Sequence, residues 1–231
     1  MNQDPFDLET LSDLFQNNSH SDNAVHMAQY MKNHFPFFGI KSPLRRNIMK
    51  AWWGRRKIQN ESELQQLMNT LWKMDEREYQ YVACDLGKRY KKMWTPESIP
   101  FLQQLICTKS WWDTVDVMAS HMVGAVVFQF PKMDHVMDVW IDHPNMWVRR
   151  SALLHQLNFK AYTNKTRLFR YCEVTMHETE FFIRKAIGWG LRQFSYVEPR
   201  SVIQFVHRHE NGLSTLSKTE ALKALKREGI L

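Results

Sequence analysis

The chain has 231 residues and is basic, with 31 Lys and Arg against 24 Asp and Glu and a net charge of +7. Hydrophobic residues make up 44% of the chain and nine residues are Trp, which is enough apolar surface to exclude global disorder. Only eight Gly and eight Pro interrupt it, which disfavours an all-β fold with many turns. The charge suggests a polyanionic partner, either nucleic acid or an anionic membrane, although a soluble protein that is simply basic is the plainer alternative.

Cysteine and histidine usage argues against a metal site and a disulfide framework. Cys84, Cys107 and Cys172 are widely separated, and the ten His do not cluster at ligand spacing. We therefore expect no metal and no other cofactor. The start MNQDPFDLETL is unlike a signal peptide, and the longest clean apolar stretch, at 122–128, is too short to span a bilayer. These features predict a cytoplasmic protein that is not attached to a membrane.

Helical periodicity begins near the amino terminus and continues along the chain. Residues 6–15, 24–34 and 62–73 each place apolar side chains at helical spacing. A capping hydroxyl precedes a proline at 42–43 and again at 95–96, which is typical of helix starts. Because no segment alternates convincingly as a strand would, we predict an all-α fold.

Similar helical segments recur with a period near 35 residues. The steps between them are 33 to 36 residues, and the segments begin at Pro43, Tyr79, Trp112, Trp147, Phe182 and Leu216. About two helices in each period is typical of HEAT-like repeats, which stack into a solenoid. We predict a single HEAT-like repeat domain over residues 1–231. A plain multi-helix domain is the simpler alternative, because identity between the segments is weak.

Residues at equivalent offsets in successive repeats line up on one surface of a solenoid. Asp116, Arg150 and Trp189 lie four, three and seven residues after the starts of their segments, and these offsets share a helix face. We predict a concave basic face whose aromatic rings and cations suit nucleic acid. Each of these residues also has a simpler explanation: the aromatic residues can be core, and the charged residues can be solvated. Periodicity alone therefore favours a binding scaffold over an enzyme.

Several strings in the chain are more specific than its periodicity. KSWWDTVD (109–116), MWVRRSALLHQLNFK (146–160) and EFFIRKAIGWGLRQF (180–194) strongly resemble the AlkD family of bacterial DNA alkylation-repair glycosylases. AQYMKNHFPFFGIKSPLRR (28–46) and LSKTEALKALK (216–226) resemble the same family. The resemblance implies a HEAT-like solenoid that cradles duplex DNA. It also implies monofunctional excision of N3-methyladenine and N7-methylguanine in base excision repair, without a deep pocket for the base.

The resemblance also implies roles for individual residues. It places a catalytic carboxylate at Asp116, flanking tryptophans at Trp112 and Trp189, and an active-site arginine at Arg150. A cationic base leaves readily, so a carboxylate is needed mainly to stabilise positive charge on the sugar. Arg150 is expected to hold a backbone phosphate. Further DNA contacts are expected from Tyr30, Arg45, Arg46, Lys109, Arg149, Phe181, Phe182, Arg184, Lys185 and Arg192.

A non-catalytic HEAT-like scaffold that binds DNA or a protein is the alternative function. Related members that lack the four catalytic groups are thought to bind DNA without repairing it, and this sequence keeps all four. Lys109 and Lys185 are expected to contact phosphates rather than to form Schiff bases, so we expect no lyase activity. The expected partner is double-stranded DNA with alkylated bases, and the expected state is a monomer.

Overall fold

A computed structural model describes residues 6–54 and 56–231; the first residues of the acidic amino-terminal stretch, 1–5, lie outside the described part. The described residues contain α-helices, short 3-10 helices and one π-turn, and no strand occurs among them. This confirms the all-α prediction. The chain divides into two compact units, Met1–Met93 and Trp94–Leu231. The single repeat domain and its concave basic face stay predictions.

Five α-helices form the described part of the first unit. They are α1 (Leu8–Asn17), α2 (Ser21–Tyr30), α3 (Ser42–Trp53), α4 (Glu61–Lys73) and α5 (Arg77–Arg89). Helix α1 packs against α3, and α4 packs against α5. The rings of Phe15 and Tyr79 lie 5.2 Å apart, which joins α1 to α5 through the core.

The segment between α2 and α3 is tied to α5 by one buried carboxylate. Glu78 accepts hydrogen bonds from the backbone N–H groups of Phe38, Gly39 and Ile40, at 3.2, 3.0 and 3.0 Å. Burial raises the pKa of Glu78, and these three bonds act against that rise. Gly39 has a φ of +85°, and a Cβ there would lie 2.2 Å from the carbonyl oxygen of His20. Glycine is therefore required at this position.

The second unit contains the remaining helices. Its α-helices are α6 (Ile99–Cys107), α7 (Trp112–Met118), α8 (Gly124–Gln129), α9 (Asp134–Trp140), α10 (Met146–Leu154), α11 (Lys165–Thr175), α12 (Phe181–Ser195), α13 (Pro199–Arg208) and α14 (Thr215–Arg227). The short turns are the 3-10 helices Pro96–Ser98, Pro131–Met133 and Lys160–Tyr162 and the π-turn Ala119–Val123. Helix α10 packs against α6, α7, α9, α11 and α12. Helix α12 packs against α13 and α14, so α10 and α12 are the central helices of this unit.

The helix starts agree with the predicted repeat. The six residues at which a segment was predicted to begin lie within the first three residues of α3, α5, α7, α10, α12 and α14. At least one further helix separates each start from the next, which gives about two helices per repeat. At 95–96 a capping box forms between Thr95 and Ser98, whereas at 42–43 the helix starts at Ser42 and Lys41 occupies the cap position.

No helix within the described residues is long and apolar enough to cross a membrane.

Replacement of Gly39 by alanine should destabilise the first unit. The new Cβ combines a left-handed backbone with a clash against His20, so we expect the free energy of unfolding to fall by about 2–4 kcal/mol. Denaturant unfolding measures this change. Gly229→Ala is the matched control, since its φ is also positive but no atom lies within 4 Å of the new Cβ. Equal losses in the two variants would contradict the role of the close contact.

Candidate active site

Helix α7 carries two of the residues predicted for the site. The backbone of Trp111 is extended, with φ −159° and ψ 159°, and the helix begins at the next residue, Trp112. Asp113 lies in the first turn, where the positive end of the helix dipole favours a carboxylate. Asp116 lies four residues after Trp112, so the two share a face of the helix. Asp116 is buried, while Trp112 keeps part of its side chain exposed.

Asp116 and Arg150 form a bidentate ion pair between α7 and α10. Arg150 Nε donates to Asp116 Oδ1 at 2.7 Å, and Arg150 Nη2 donates to Oδ2 at 2.8 Å. The side chains are 4% exposed for Arg150 and 11% exposed for Asp116. This parallel geometry is the strongest form of hydrogen bond between a guanidinium and a carboxylate. Each carboxylate oxygen still has a lone pair that can accept from, or act on, a ligand.

The surroundings of Asp116 shift the pKa of its carboxyl in two opposite directions. Burial raises the pKa of its carboxyl, and the neighbouring charge of Asp113 acts in the same direction. The hydrogen bonds and the positive charge of Arg150 lower that pKa. Asp116 is therefore a carboxylate whose charge depends on its arginine partner. Because little water surrounds it, its charge acts on a nearby group with less screening than a surface carboxylate would.

Arg150 also connects this pair to α12. Its Nη1 donates to the backbone carbonyl of Phe182, and its guanidinium lies 5.8 Å from the centre of the Phe182 ring. Three N–H groups of the side chain thus have protein acceptors. This placement differs from the expected phosphate contact, because the guanidinium is buried and directed at Asp116 and α12.

Three aromatic rings at the starts of α7, α10 and α12 pack against one another. The rings of Trp111 and Phe182 lie 5.0 Å apart, those of Trp147 and Phe182 lie 5.0 Å apart, and those of Trp111 and Trp147 lie 5.7 Å apart. Trp111 was not among the residues selected from the sequence, although the doubled tryptophan in KSWWDTVD was a signal for it. Phe181 packs edge-on against Phe182 and remains 55% exposed.

Trp189 lies on α12, seven residues after Phe182, so these two side chains share a helix face. It is half-buried, as Trp112 is, and both rings keep exposed surface for a ligand. Arg150 thus contacts both Asp116 and Phe182, and the two tryptophans lie on α7 and α12, the helices that carry Asp116 and Phe182.

Arg149 and Arg184 hold the segment before α12. Arg149 makes two hydrogen bonds to the Glu178 carboxylate, at 3.0 and 2.7 Å, and two more to the carbonyls of His143 and Pro144. Arg184 donates to the Glu178 carbonyl at 2.8 Å. Both arginines were expected to contact DNA. They are only partly exposed and are bonded to the protein, because Glu178, which the sequence reasoning did not consider, lies beside them.

Two further cations on α12 share one carboxylate on α14. Lys185 Nζ lies 2.8 Å and Arg192 Nη1 lies 2.5 Å from the carboxylate oxygens of Glu220. These ion pairs lower the pKa of Glu220, the hydrogen bond from Lys185 having the largest effect. Lys109 lies in the segment before α7, is half-buried and has a φ of +48°. A phosphate at Lys185 or Arg192 would compete with Glu220.

The first unit holds the other three residues that were expected to contact DNA. Tyr30 is 69% exposed, and Arg46 is also exposed. Arg45 is buried: it pairs with Asp85 at 3.1 Å and lies 4.6 Å from the centre of the Tyr81 ring. Arg45 thus differs from the expected surface cation, since its guanidinium lies within the unit.

Within residues 6–54 and 56–231, no cluster of three or more His, Cys, Asp or Glu side chains has the geometry to hold a metal ion.

Comparisons with known proteins are consistent with each other. A family model described as DNA alkylation repair enzyme matches residues 11–225. Among solved structures, the chain is similar to one described as a predicted DNA alkylation repair enzyme from Enterococcus faecalis, with 32% sequence identity and a TM-score of 0.81. That similarity covers 89% of this chain and 95% of the other. None of the curated proteins that were compared with the chain matches it.

Removal of one member of the buried ion pair should cost more stability than removal of both. We expect Arg150→Leu or Asp116→Leu to lower the free energy of unfolding by about 3–5 kcal/mol, because each leaves a buried charge without its partner. The double variant should lose much less than the sum. Urea unfolding of the four proteins measures this coupling. The exposed pair Lys165–Glu198 is the control, with an expected coupling below about 1 kcal/mol. Additive losses at 116 and 150 would contradict the pairing.

Proposed function

The chain belongs to the family of DNA alkylation repair enzymes, and from that premise we propose that it is a monofunctional DNA glycosylase. Its substrates are N3-methyladenine and N7-methylguanine in duplex DNA, and its reaction belongs to base excision repair. The observation that carries the proposal is the buried carboxylate of Asp116, held by two hydrogen bonds from Arg150 and flanked by helices with partly exposed tryptophans. The family membership agrees with the resemblance found in the sequence.

The proposed reaction needs little help for the departing base. Alkylation at N3 of adenine or N7 of guanine gives the base a positive charge. When the bond between the sugar C1′ and the base nitrogen breaks, the base takes both electrons of that bond and leaves neutral. Water then adds its oxygen to C1′ and releases one proton, which produces an abasic site. The group that requires stabilisation is the deoxyribose, on which positive charge develops.

Asp116 has the chemistry to stabilise that charge. A carboxylate fixed in position beside a developing cation stabilises it without reorganising during the reaction. Its remaining lone pairs can also orient the attacking water. Arg150 acts in this proposal as a positioning residue, because its hydrogen bonds are directed at Asp116 and at the Phe182 carbonyl. This role replaces the phosphate contact expected from the sequence.

Trp112 and Trp189 supply partly exposed aromatic faces to the same site in this proposal. The electron-rich face of an indole attracts a cation, and such a contact is worth about 0.5–2 kcal/mol. A cationic nucleotide would therefore be favoured over a neutral one. Stacking against these rings also tolerates different bases, since every base has an aromatic face.

Phosphate binding completes the proposal. The exposed Arg46 is the strongest candidate for a contact to the DNA backbone, and Lys109, Tyr30 and Phe181 are further candidates. The paired cations Arg149, Arg184, Lys185 and Arg192 would contribute by exchanging a protein acceptor for a phosphate. We further propose that the protein acts as a monomer in the cytoplasm.

Replacement of Asp116 by asparagine tests the proposed activity. The variant nearly keeps the shape of the side chain but loses its charge, so we expect the rate of N7-methylguanine release to fall about 10²–10³-fold. Binding to duplex DNA should stay within twofold of the wild type or become tighter. Release is measured by chromatography of the free base, corrected for spontaneous loss, and binding by fluorescence anisotropy.

Two further variants make this result specific. Asp113→Asn changes a carboxylate in the first turn of the same helix and should keep release within a few-fold of the wild type. Asp116→Glu keeps the charge and should retain more activity than Asp116→Asn. Near-normal release by Asp116→Asn would sink the assignment. A wild-type protein that binds DNA but releases no base would favour the scaffold function instead.

The charge of the base, rather than its shape, should determine which lesions are released. We expect release of N7-methylguanine and of a bulkier cationic N7-alkylguanine, because departure neutralises both. Uracil and 8-oxoguanine should stay in the DNA, since they would have to leave as anions without an acid to protonate them. Duplexes of one sequence, each with one lesion at the same position, allow the comparison. Efficient release of uracil, or failure on every N7-alkylguanine, would be incompatible with this mechanism.

A further inference from the structure

The helix that carries Asp116 is interrupted shortly after that residue. A π-turn, Ala119–Val123, separates α7 from α8, and the N–H of Gly124 donates to the carbonyl of Ala119, five residues earlier. Such turns are rare and occur frequently at functional sites. This one begins three residues after Asp116, in the second unit of the chain.

The extra residue of the π-turn changes which side chains face the core. Val115 and Val127 are both buried, although twelve residues separate them. In an uninterrupted α-helix they would lie roughly 120° apart around the axis, since each residue turns the helix by about 100°. One additional residue in the turn removes about 100° of that difference. The π-turn thus brings Val127 to within about 20° of Val115 around the helix axis.

Two side-chain hydrogen bonds hold this turn and lead back to Asp116. The hydroxyl of Ser120 donates to the backbone carbonyl of Asp116 at 2.6 Å. The amide of Asn158 donates to the backbone carbonyl of Ser120 at 2.9 Å, and its nitrogen lies 3.3 Å from His121 Nδ1. Asn158 follows α10, four residues after the end of that helix. The two bonds therefore connect the end of α10 to the backbone of the candidate catalytic residue.

The residue that follows the π-turn, Gly124, lies directly against the residue that follows α10, His155. A Cβ on Gly124 would lie 2.3 Å from the backbone carbonyl oxygen of His155, so a side chain has no room there. Helix α10 packs against both α7 and the π-turn, and α10 carries Arg150. The distance between Asp116 and Arg150 therefore depends on how these two helices are locked together at the turn.

We propose that the π-turn sets the position of Asp116 against Arg150, and that Ser120 and Asn158 are positioning residues for base excision. The proposal rests on the glycosylase function proposed above. Neither side chain acts on the reacting atoms: Ser120 acts through the backbone carbonyl of Asp116, and Asn158 acts through the backbone carbonyl of Ser120. A displacement of a catalytic group by about 1 Å can reduce a rate up to about a hundredfold, so a small loosening of this turn has a measurable effect.

The test compares Ser120→Ala and Asn158→Ala with the wild type. We expect kcat for N7-methylguanine release to fall about tenfold while KM and the Kd for duplex DNA stay within twofold. The Arg150 Nε–H proton, which is buried against Asp116, should exchange with solvent faster in both variants when followed by NMR. Ser120→Thr keeps the hydroxyl and should restore both kcat and slow exchange. A merely structural role would lower stability without changing the exchange at Arg150.

Matched controls come from equivalent hydrogen bonds elsewhere in the chain. Thr70→Ala removes a side-chain hydroxyl bond to a helix carbonyl, and Asn18→Ala removes an amide bond of the same kind; both should leave kcat and exchange unchanged. Equal kcat and equal Arg150 exchange in the Ser120, Asn158 and control variants would overturn the proposal. If the wild type releases no cationic base, the glycosylase proposal fails, and the NMR exchange alone still decides whether the turn positions Asp116.

Discussion

The ion pair between Asp116 and Arg150 is the interaction on which the second unit depends. Removing two charges from water costs several kcal/mol for each ion, and only well-aligned hydrogen bonds offset that cost. Here two parallel bonds and a third to the Phe182 carbonyl fix α7, α10 and α12 relative to each other. A shift of any of these helices would leave a buried charge without a partner. The same requirement that stabilises the packing holds a carboxylate in a defined place.

The cations near the site are also held by acceptors of the protein. A net charge of +7 suggests many free cations, yet several of those near the site are bonded to carboxylates or carbonyls of the protein. Glu178 and Glu220 each accept from cations on neighbouring segments, which orders long side chains that would otherwise lose entropy on binding. A phosphate that replaces either carboxylate meets cations already oriented by the fold. At these particular cations, phosphate binding would require displacement of a carboxylate of the protein.

Local patterns in the sequence were sufficient for the helices, while the roles of the candidate site residues came from the resemblance to a known family. Apolar spacing and capping residues act over a few residues, so they predicted the all-α fold and the six helix starts of the repeat. The repeat offsets also brought Asp116 and Arg150 to matching positions on α7 and α10, where the structure pairs them. Trp111 was not selected from the sequence because it precedes its helix, and helical offsets do not describe residues in extended segments.

The sequence by itself determined the secondary structure and the repeat period, because these follow from short-range periodicity, and its resemblance to a known family singled out Asp116 and Arg150. Only the tertiary structure decided which cations are exposed: Arg45 and Arg150 are buried, and Lys185 shares Glu220 with Arg192. It also decided that a π-turn follows Asp116. Burial, partners and helix register depend on segments some 30 to 40 residues away in the chain, and no local pattern specifies which of those distant groups comes within hydrogen-bond distance.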